Sequence, residues 1–240
     1  MWKKRIIHNI RIFASSVLDF FFPRYCPCCH ARMGLSEDTL CVRCLADLPR
    51  VRHTSWSDND ITRIFWGLAP IENGTSFFHY TRHSPYSRIL FDLKYHNRPE
   101  IGRNMGRMMA QELKRKGFFN DIGLIIPIPL SRQKERERGY NQSLWIARGI
   151  SDITGIPIDT ASVARIVSNP SQTRLDGQQR RENVRNIFAV THPENLKNRH
   201  ILLVDDVITT GSTMLSCAET IARACPVRLS VISLAWAGDS

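Results

Sequence analysis

No stretch of the 240-residue chain reaches the roughly 18 uninterrupted apolar residues that a membrane-crossing helix needs, so no membrane span is expected. Low-complexity tracts and internal repeats are also missing, which sets aside disordered tails and solenoids. The opening Met-Trp-Lys-Lys-Arg has the charge of a secretory signal, but His8, Asn9 and Arg11 interrupt the apolar part and no A-x-A site follows. Acidic residues are few: 22 Asp and Glu against 33 Lys and Arg leave a formal charge of +11. Such an excess attracts polyanions through a field that salt screens, without choosing among nucleic acid, diphosphates and anionic lipid. It serves solubility equally well. What is present is a 42% apolar fraction, enough to fill one α/β domain with a small appendage.

Ile6, Ile10, Phe13, Val17 and Phe20 or Phe21 recur at steps of three and four, predicting an amphipathic helix over residues 5–21 that Pro23 ends. Its stripe is expected to pack on the protein's own surface rather than on a membrane, because its polar face carries little charge. Residues 24–50 hold a cysteine-rich module, and 51–63 are polar enough for a linker or exposed loop. The expected division is therefore 1–60, helix plus cysteine module, and 61–240, a larger domain. In the second part short apolar runs alternate with helical segments, the pattern of a parallel sheet with crossover helices. Helices are expected at 85–95, 100–116, 141–153 and 212–224. Strands are expected at 122–130, 163–167, 186–190, 200–206 and 227–235, with a polar loop at 168–185. Met105, Met108 and Met109 share one side of the second helix and are expected in the core.

The segment I-L-L-V-D-D-V-I-T-T-G-S-T, residues 201–213, is the most informative. An aliphatic strand ends in two carboxylates, and a small-residue turn leads into a helix. A sugar-phosphate site has these needs. Backbone N–H groups of the turn and first helical turn can point at a phosphate, Thr209, Thr210, Ser212 and Thr213 add hydroxyls, and Gly211 permits close approach. Asp205 and Asp206 can accept hydrogen bonds from ribose hydroxyls and help hold magnesium bound to a diphosphate. Plain helix capping would need only one such side chain. A Walker A loop is excluded because no Gly-Lys-Ser/Thr follows, and a Rossmann loop because the segment has one glycine.

Five of the seven cysteines fall within Cys26–Cys44. Cys26/Cys29 and Cys41/Cys44 make two C-x-x-C knuckles, a spacing that suits tetrahedral zinc of the structural type. Cys28 is then a spare thiol and His30 a fallback ligand; a redox C-x-x-C is the competing reading. Crowded thiolates also favour a reducing compartment, the cytoplasm. Cys217 and Cys225 read as core. The cluster Arg132, Lys134, Arg136, Arg138, Gly139, Tyr140, Asn141 and Gln142 follows the proline-ended strand at 122–130, so its cations are expected on the sheet edge that carries the phosphate loop. A self-paired charge run, with Glu135 and Glu137 interleaved, is the alternative.

The loop at 201–213 resembles the fingerprint of type I phosphoribosyltransferases, and the flanking sequence resembles their ComF family, associated with natural competence and DNA uptake. The resemblance runs through F-F-P-R-Y-C near the start, L-K-Y-H at 93–96, the stretch 126–142, the stretch 165–184 and the loop itself. It implies a central parallel sheet flanked by helices and a site for phosphoribosyl diphosphate (PRPP) with magnesium. It makes Arg132, Arg138, Gly139 and Asn141 candidates for the diphosphate loop, and Gln172, Thr173, Arg180 and Arg181 candidates for a closing lid, with Arg165 similarly placed. The implied chemistry is displacement of magnesium diphosphate from the ribose, stabilised electrostatically. No residue stands out as a general base, and the acceptor is not legible. Two functions follow: a phosphoribosyltransferase, or a competence module that binds single-stranded DNA and uses the PRPP site for sensing. Basic neighbours of the knuckles, Arg24, Arg32, Arg43, Arg50 and Arg52, motivate contact with DNA or with competence-machinery proteins.

Overall fold

The computed structural model describes residues 23–35, 37–166 and 187–238. The expected helix at 5–21 and loop at 168–185 lie outside those residues.

Four parallel strands form the central sheet in the order β1 (Ile71–His79), β6 (Arg228–Trp236), β5 (His200–Ile208), β2 (Leu124–Pro127). The two inner strands are aliphatic on both faces, as a sheet covered by helices requires. Their side chains alternate. Leu202, Val204, Ile232 and Leu234 enter one core, while Ile201, Leu203, Leu229 and Val231 enter the other. The first core is covered by α4 (Pro99–Arg115) and α6 (Gln142–Thr154), the second by α7 (Ser212–Ala224). Met105 and Met109 are fully buried in the first core, as expected of them. Helices α4 and α6 approach to backbone contact, because a Cβ at Gly149 would collide with the Arg103 carbonyl.

The cysteine segment joins the first core rather than standing apart. Cys26, Met33, Leu40, Cys41, Cys44 and Leu48 share one apolar cluster with Phe77, Ile89 and Leu93. A short helix, α1 (Val42–Ala46), carries the second knuckle. Residues 49–51 then run antiparallel to β1, with the His79 amide donating to the Pro49 carbonyl at 2.7 Å and the Val51 amide to the Phe77 carbonyl at 3.1 Å. On the opposite edge, the Ile125 amide donates to the Pro157 carbonyl and the Asp159 amide to the Ile125 carbonyl, both at 2.9 Å. Each edge strand thus has a covering segment.

Some expectations need correction. Residues 51–63 are not an exposed linker throughout, because Asn59 is buried, caps the four-residue helix α2 (Asp60–Arg63) and bonds the Gly74 carbonyl, while Ile61 and Thr62 are fully buried. Strand β1 was not anticipated. The strand expected at 122–130 is only Leu124–Pro127. The basic run is not a loop but α5 (Arg132–Arg138), a helix that Ser131 starts and Gly139, at φ +80°, ends. Good helix formers and the capping serine explain this. Finally, β3 (Val163–Arg165) and β4 (Phe188–Val190) pair as an antiparallel ribbon, and α3 (Ser87–Tyr95) precedes α4. Among the described residues, no helix is long and apolar enough to cross a membrane.

Candidate functional site

Strand β5 brings Asp205 and Asp206 to its carboxyl end, where an open parallel sheet presents its ligand crevice. The chain then turns through Thr209, Thr210 and Gly211 into α7. Gly211 adopts φ +70°, and a Cβ there would lie 2.8 Å from Ile64 and 3.2 Å from Phe65, so both conformation and space demand glycine. Among the described residues no side chain caps α7, which leaves the amides of its first turn directed outward. Thr209, Thr210, Ser212 and Thr213 are exposed around that end, with the Thr210 and Ser212 hydroxyls 2.7 Å apart. Asp205 and residues 207–214 line a small hollow of about 40 Å³. Amides, hydroxyls and helix dipole together can take up a phosphate-sized anion.

The two carboxylates differ in surroundings. Asp205 Oδ1 accepts from the Ser143 hydroxyl at 2.9 Å and from the Asp206 amide at 2.8 Å. Burial, followed by the charge of Asp206, pushes the Asp205 carboxyl above the ordinary carboxylate range. Asp206 is paired with Lys94, whose Nζ lies 3.0 Å from its Oδ2. Sequence reasoning gave no role to Ser143 or Lys94. Ser143 was legible only as a hydroxyl in the first turn of an expected helix, and Lys94 only as part of L-K-Y-H.

The residues at 138–143 come to the same edge. Asn141 caps α6 by accepting from the Ser143 and Leu144 amides, and its Nδ2 donates to the Ile128 carbonyl at 3.0 Å. That bond ties the end of β2 to the start of α6, and Ser143 then reaches β5. Arg138 donates to Gln142 Oε1 at 2.9 Å, and Arg132 lies at the start of α5. Arg165 stands over the Phe188 ring at 5.6 Å, half-buried, within electrostatic range of Asp205. Gln172, Thr173, Arg180 and Arg181 lie outside the described residues.

The thiols of Cys26, Cys29, Cys41 and Cys44 form the second cluster, with all four Sγ atoms within 4.8 Å of one another. Thiolates about 2.3 Å from a tetrahedral ion stand roughly 3.8 Å apart, and Cys29 and Cys41 are separated by 3.6 Å. The set can therefore hold a metal ion such as zinc. Cys28 instead packs against the apolar core, and burial, then the charge of Cys26, pushes its thiol up to about 12. His30 is exposed outside the cluster. Burial also opposes ionisation of Cys26, but the amides of Cys41, Cys29 and Cys28 outweigh it and bring that thiol to about 7. Glu37 fastens the module, accepting from the Gly34 and Val42 amides at 2.5 and 2.6 Å.

Several of the basic residues are engaged inside the protein. Arg50 forks onto Glu112, Arg98 meets Asp92 and Glu100, Arg103 meets Asp152, and Arg24 donates to the Gly34 and Glu37 carbonyls. A hollow of about 330 Å³ lies beside the Arg50–Glu112 pair, two strands away from β5. It is larger than the one at residues 205–214; of its charged lining, Arg50 is paired with Glu112, and Arg52 and Lys116 add further positive charge.

The sequence model of the phosphoribosyl transferase domain matches residues 104–238. The chain is 29% identical over 142 residues to the DNA utilization protein YhgH of Salmonella typhi, a match covering 58% of this chain and 62% of that relative, so less than two thirds of the relative's length is spanned. It is 31% identical over 157 residues to competence protein F of Haemophilus influenzae, covering 64% of this chain and 69% of that one. Among solved structures, adenine phosphoribosyltransferase from Leishmania tarentolae superposes with a TM-score of 0.36 at 12% identity, over 77% of this chain and 94% of that one. That superposition is partial; the domain match and the strand order carry the fold.

Proposed function

The chain belongs to the phosphoribosyl transferase domain family, in its ComF branch, and on that premise we propose that it binds PRPP with magnesium and transfers the ribosyl phosphate with release of diphosphate. The observation that carries this reading is the pair Asp205–Asp206 at the end of β5, followed directly by the uncapped start of α7 and its four hydroxyl side chains. In this reading the 5′-phosphate lies on the amides of α7, where hydroxyls and dipole favour it without a lysine. The carboxylates of Asp205 and Asp206 accept from the ribose hydroxyls and, with oxygens of the ligand, hold magnesium. Bound magnesium supplies positive charge beside the leaving diphosphate. Arg132 and Arg138 add charge from α5, and Gly139 ends that helix so that Asn141 can orient α6 and Ser143 against Asp205. At the other cluster, Cys26, Cys29, Cys41 and Cys44 hold a structural zinc, a hard-to-replace contribution to a segment too small to fold alone.

A second reading, a competence module that grips single-stranded DNA, is favoured by one feature of α3. Phe91 and Tyr95 are exposed, 44% and 63%, with ring centroids 5.1 Å apart, and the exposed Arg88 precedes Phe91 by one turn and Tyr95 by two. Exposed rings beside cations offer unstacked bases a platform.

Calorimetric titration of magnesium and PRPP tests the first reading. We expect binding on the micromolar scale, about −8 kcal/mol, that is lost when Asp205 and Asp206 are both changed to Asn. Absence of binding to the unaltered protein would overturn it. For the second reading, single-stranded DNA should shift at low salt and lose affinity steeply as salt rises, and Phe91→Ala with Tyr95→Ala should weaken the shift.

A further inference from the structure

Residues Leu93-Lys94-Tyr95-His96 carry part of the family resemblance, yet sequence reasoning gave them no task at the ligand. In the structure two of them reach the site from above. The Leu93 carbonyl accepts from the Tyr140 hydroxyl at 2.5 Å, which ties the end of α3 to the Gly139–Asn141 turn. Lys94 places Nζ 3.0 Å from Asp206 Oδ2, with the lysine side chain 20% exposed and the aspartate side chain 10%.

An ion pair this far from water is not a casual surface contact. Taking both charges out of solvent costs more than an exposed pair ever returns, so such a pair is weak evidence for stability and better evidence for a task. The local charges define the task. Asp205 and Asp206 are adjacent on one strand, and Lys94 supplies a positive charge in contact with Asp206 and within electrostatic range of Asp205. The arrival of a divalent cation would reverse that relation, since an ammonium ion and a metal ion cannot share one carboxylate without repulsion. A lysine has a flexible four-carbon stem with three rotatable donors, so its charge can move while its backbone stays in α3. The anion that arrives together with the metal is the diphosphate.

We propose that Lys94 is a ligand-binding residue of the PRPP site: it holds Asp206 when no ligand is bound and passes its ammonium to the diphosphate when metal and ribose take the carboxylate. This rests on the reading of the site given above. It makes the lysine both a placeholder for the metal and a cation for the leaving group, and it explains why the helix that bears it is fastened to the Tyr140 turn.

The test uses the full chain in two ways. Magnesium with PRPP is titrated calorimetrically into the unaltered protein, Lys94→Gln and Lys94→Arg, and magnesium alone into the same three. We expect Lys94→Gln to bind magnesium alone more tightly but magnesium with PRPP about tenfold or more weakly, the loss expected for one charge-assisted contact, while Lys94→Arg recovers part of the PRPP affinity. In parallel, acetic anhydride labelling of the unaltered protein, read by mass spectrometry, should show Lys94 more reactive with magnesium alone and strongly protected once PRPP is added. Equal affinity of Lys94→Gln and the unaltered protein for magnesium with PRPP would overturn the proposal, as would Lys94 labelling that ligand does not change. The labelling experiment decides the matter if Lys94→Gln fails to fold. Failure of the unaltered protein to bind PRPP would instead strike the reading of the site itself, so the two failures are distinct.

Discussion

Ser143 donates its hydroxyl to Asp205 Oδ1 at 2.9 Å, joining the first turn of α6 to the carboxyl end of β5. Through this bond, and through the Asn141 contact to Ile128, the turn at 139–143 and the loop that follows β5 share one scaffold. Ser143→Ala removes one of the donors to a buried carboxyl. We expect a loss of about 1–3 kcal/mol of stability, measured by urea unfolding, together with weaker binding of magnesium with PRPP. Unchanged ligand affinity would mean that the bond serves packing alone.

Gly211 meets two independent demands, a left-handed backbone and the nearness of Ile64. Gly211→Ala should cost about 1–3 kcal/mol from strain and overpacking and should impair phosphate binding beyond that loss. Thermal unfolding and calorimetry on the same preparation separate the two effects.

The four knuckle thiols give a stoichiometric expectation. Plasma mass spectrometry of the purified protein should find one zinc per chain, and Cys44→Ser should lower that content. Because Cys26, Cys41 and Cys44 lie in the same apolar cluster as Ile89 and Leu93, chelation should lower the melting temperature of the whole domain rather than release a separate early transition. A chelated protein with an unaltered melting curve would contradict this.

His200 is buried, with its Nε2 at 2.8 Å from the Ser230 hydroxyl. Burial, then the charge of Arg228, holds its imidazole below the ordinary 6.5, so the folded state prefers the neutral ring. Its contribution is complete above the unfolded-state value and is lost as pH falls from there through the lower folded-state value. The urea midpoint should therefore drop between about pH 7 and pH 5, and His200→Asn should flatten that slope.

Much of the sheet could be read directly, because Ile201–Val204 and Val231–Leu234 have no alternative to burial between helices. The helix α7 matched its expected span, since Gly211 and the run of helix formers mark its start without ambiguity. Strand β1 was hidden. Its centre, Gly74-Thr75-Ser76, looks like a turn, yet Thr75 and Ser76 are buried and Ser76 meets the Ser233 hydroxyl at 2.6 Å across the pair with β6. Polar side chains that satisfy each other inside a sheet leave no hydrophobic pattern to find. Asn59 misled for the same reason, its amide being consumed by three backbone carbonyls, of Ser55, Trp56 and Gly74. At the candidate site, Asp205, Asp206 and Gly211 stand out by their adjacency in sequence. Lys94 and Ser143 lie 112 and 62 positions from the acids they touch, a proximity only the folded chain creates.

Both margins of the sheet are already occupied, β1 by residues 49–51 and β2 by residues 157–159. A free margin would offer its amides and carbonyls to any extended peptide, including one from another copy of this chain. Here such growth has no starting point at the strands just described. At the margins of this sheet, among the described residues, self-association or capture of another protein therefore falls to side chains rather than to strand backbone.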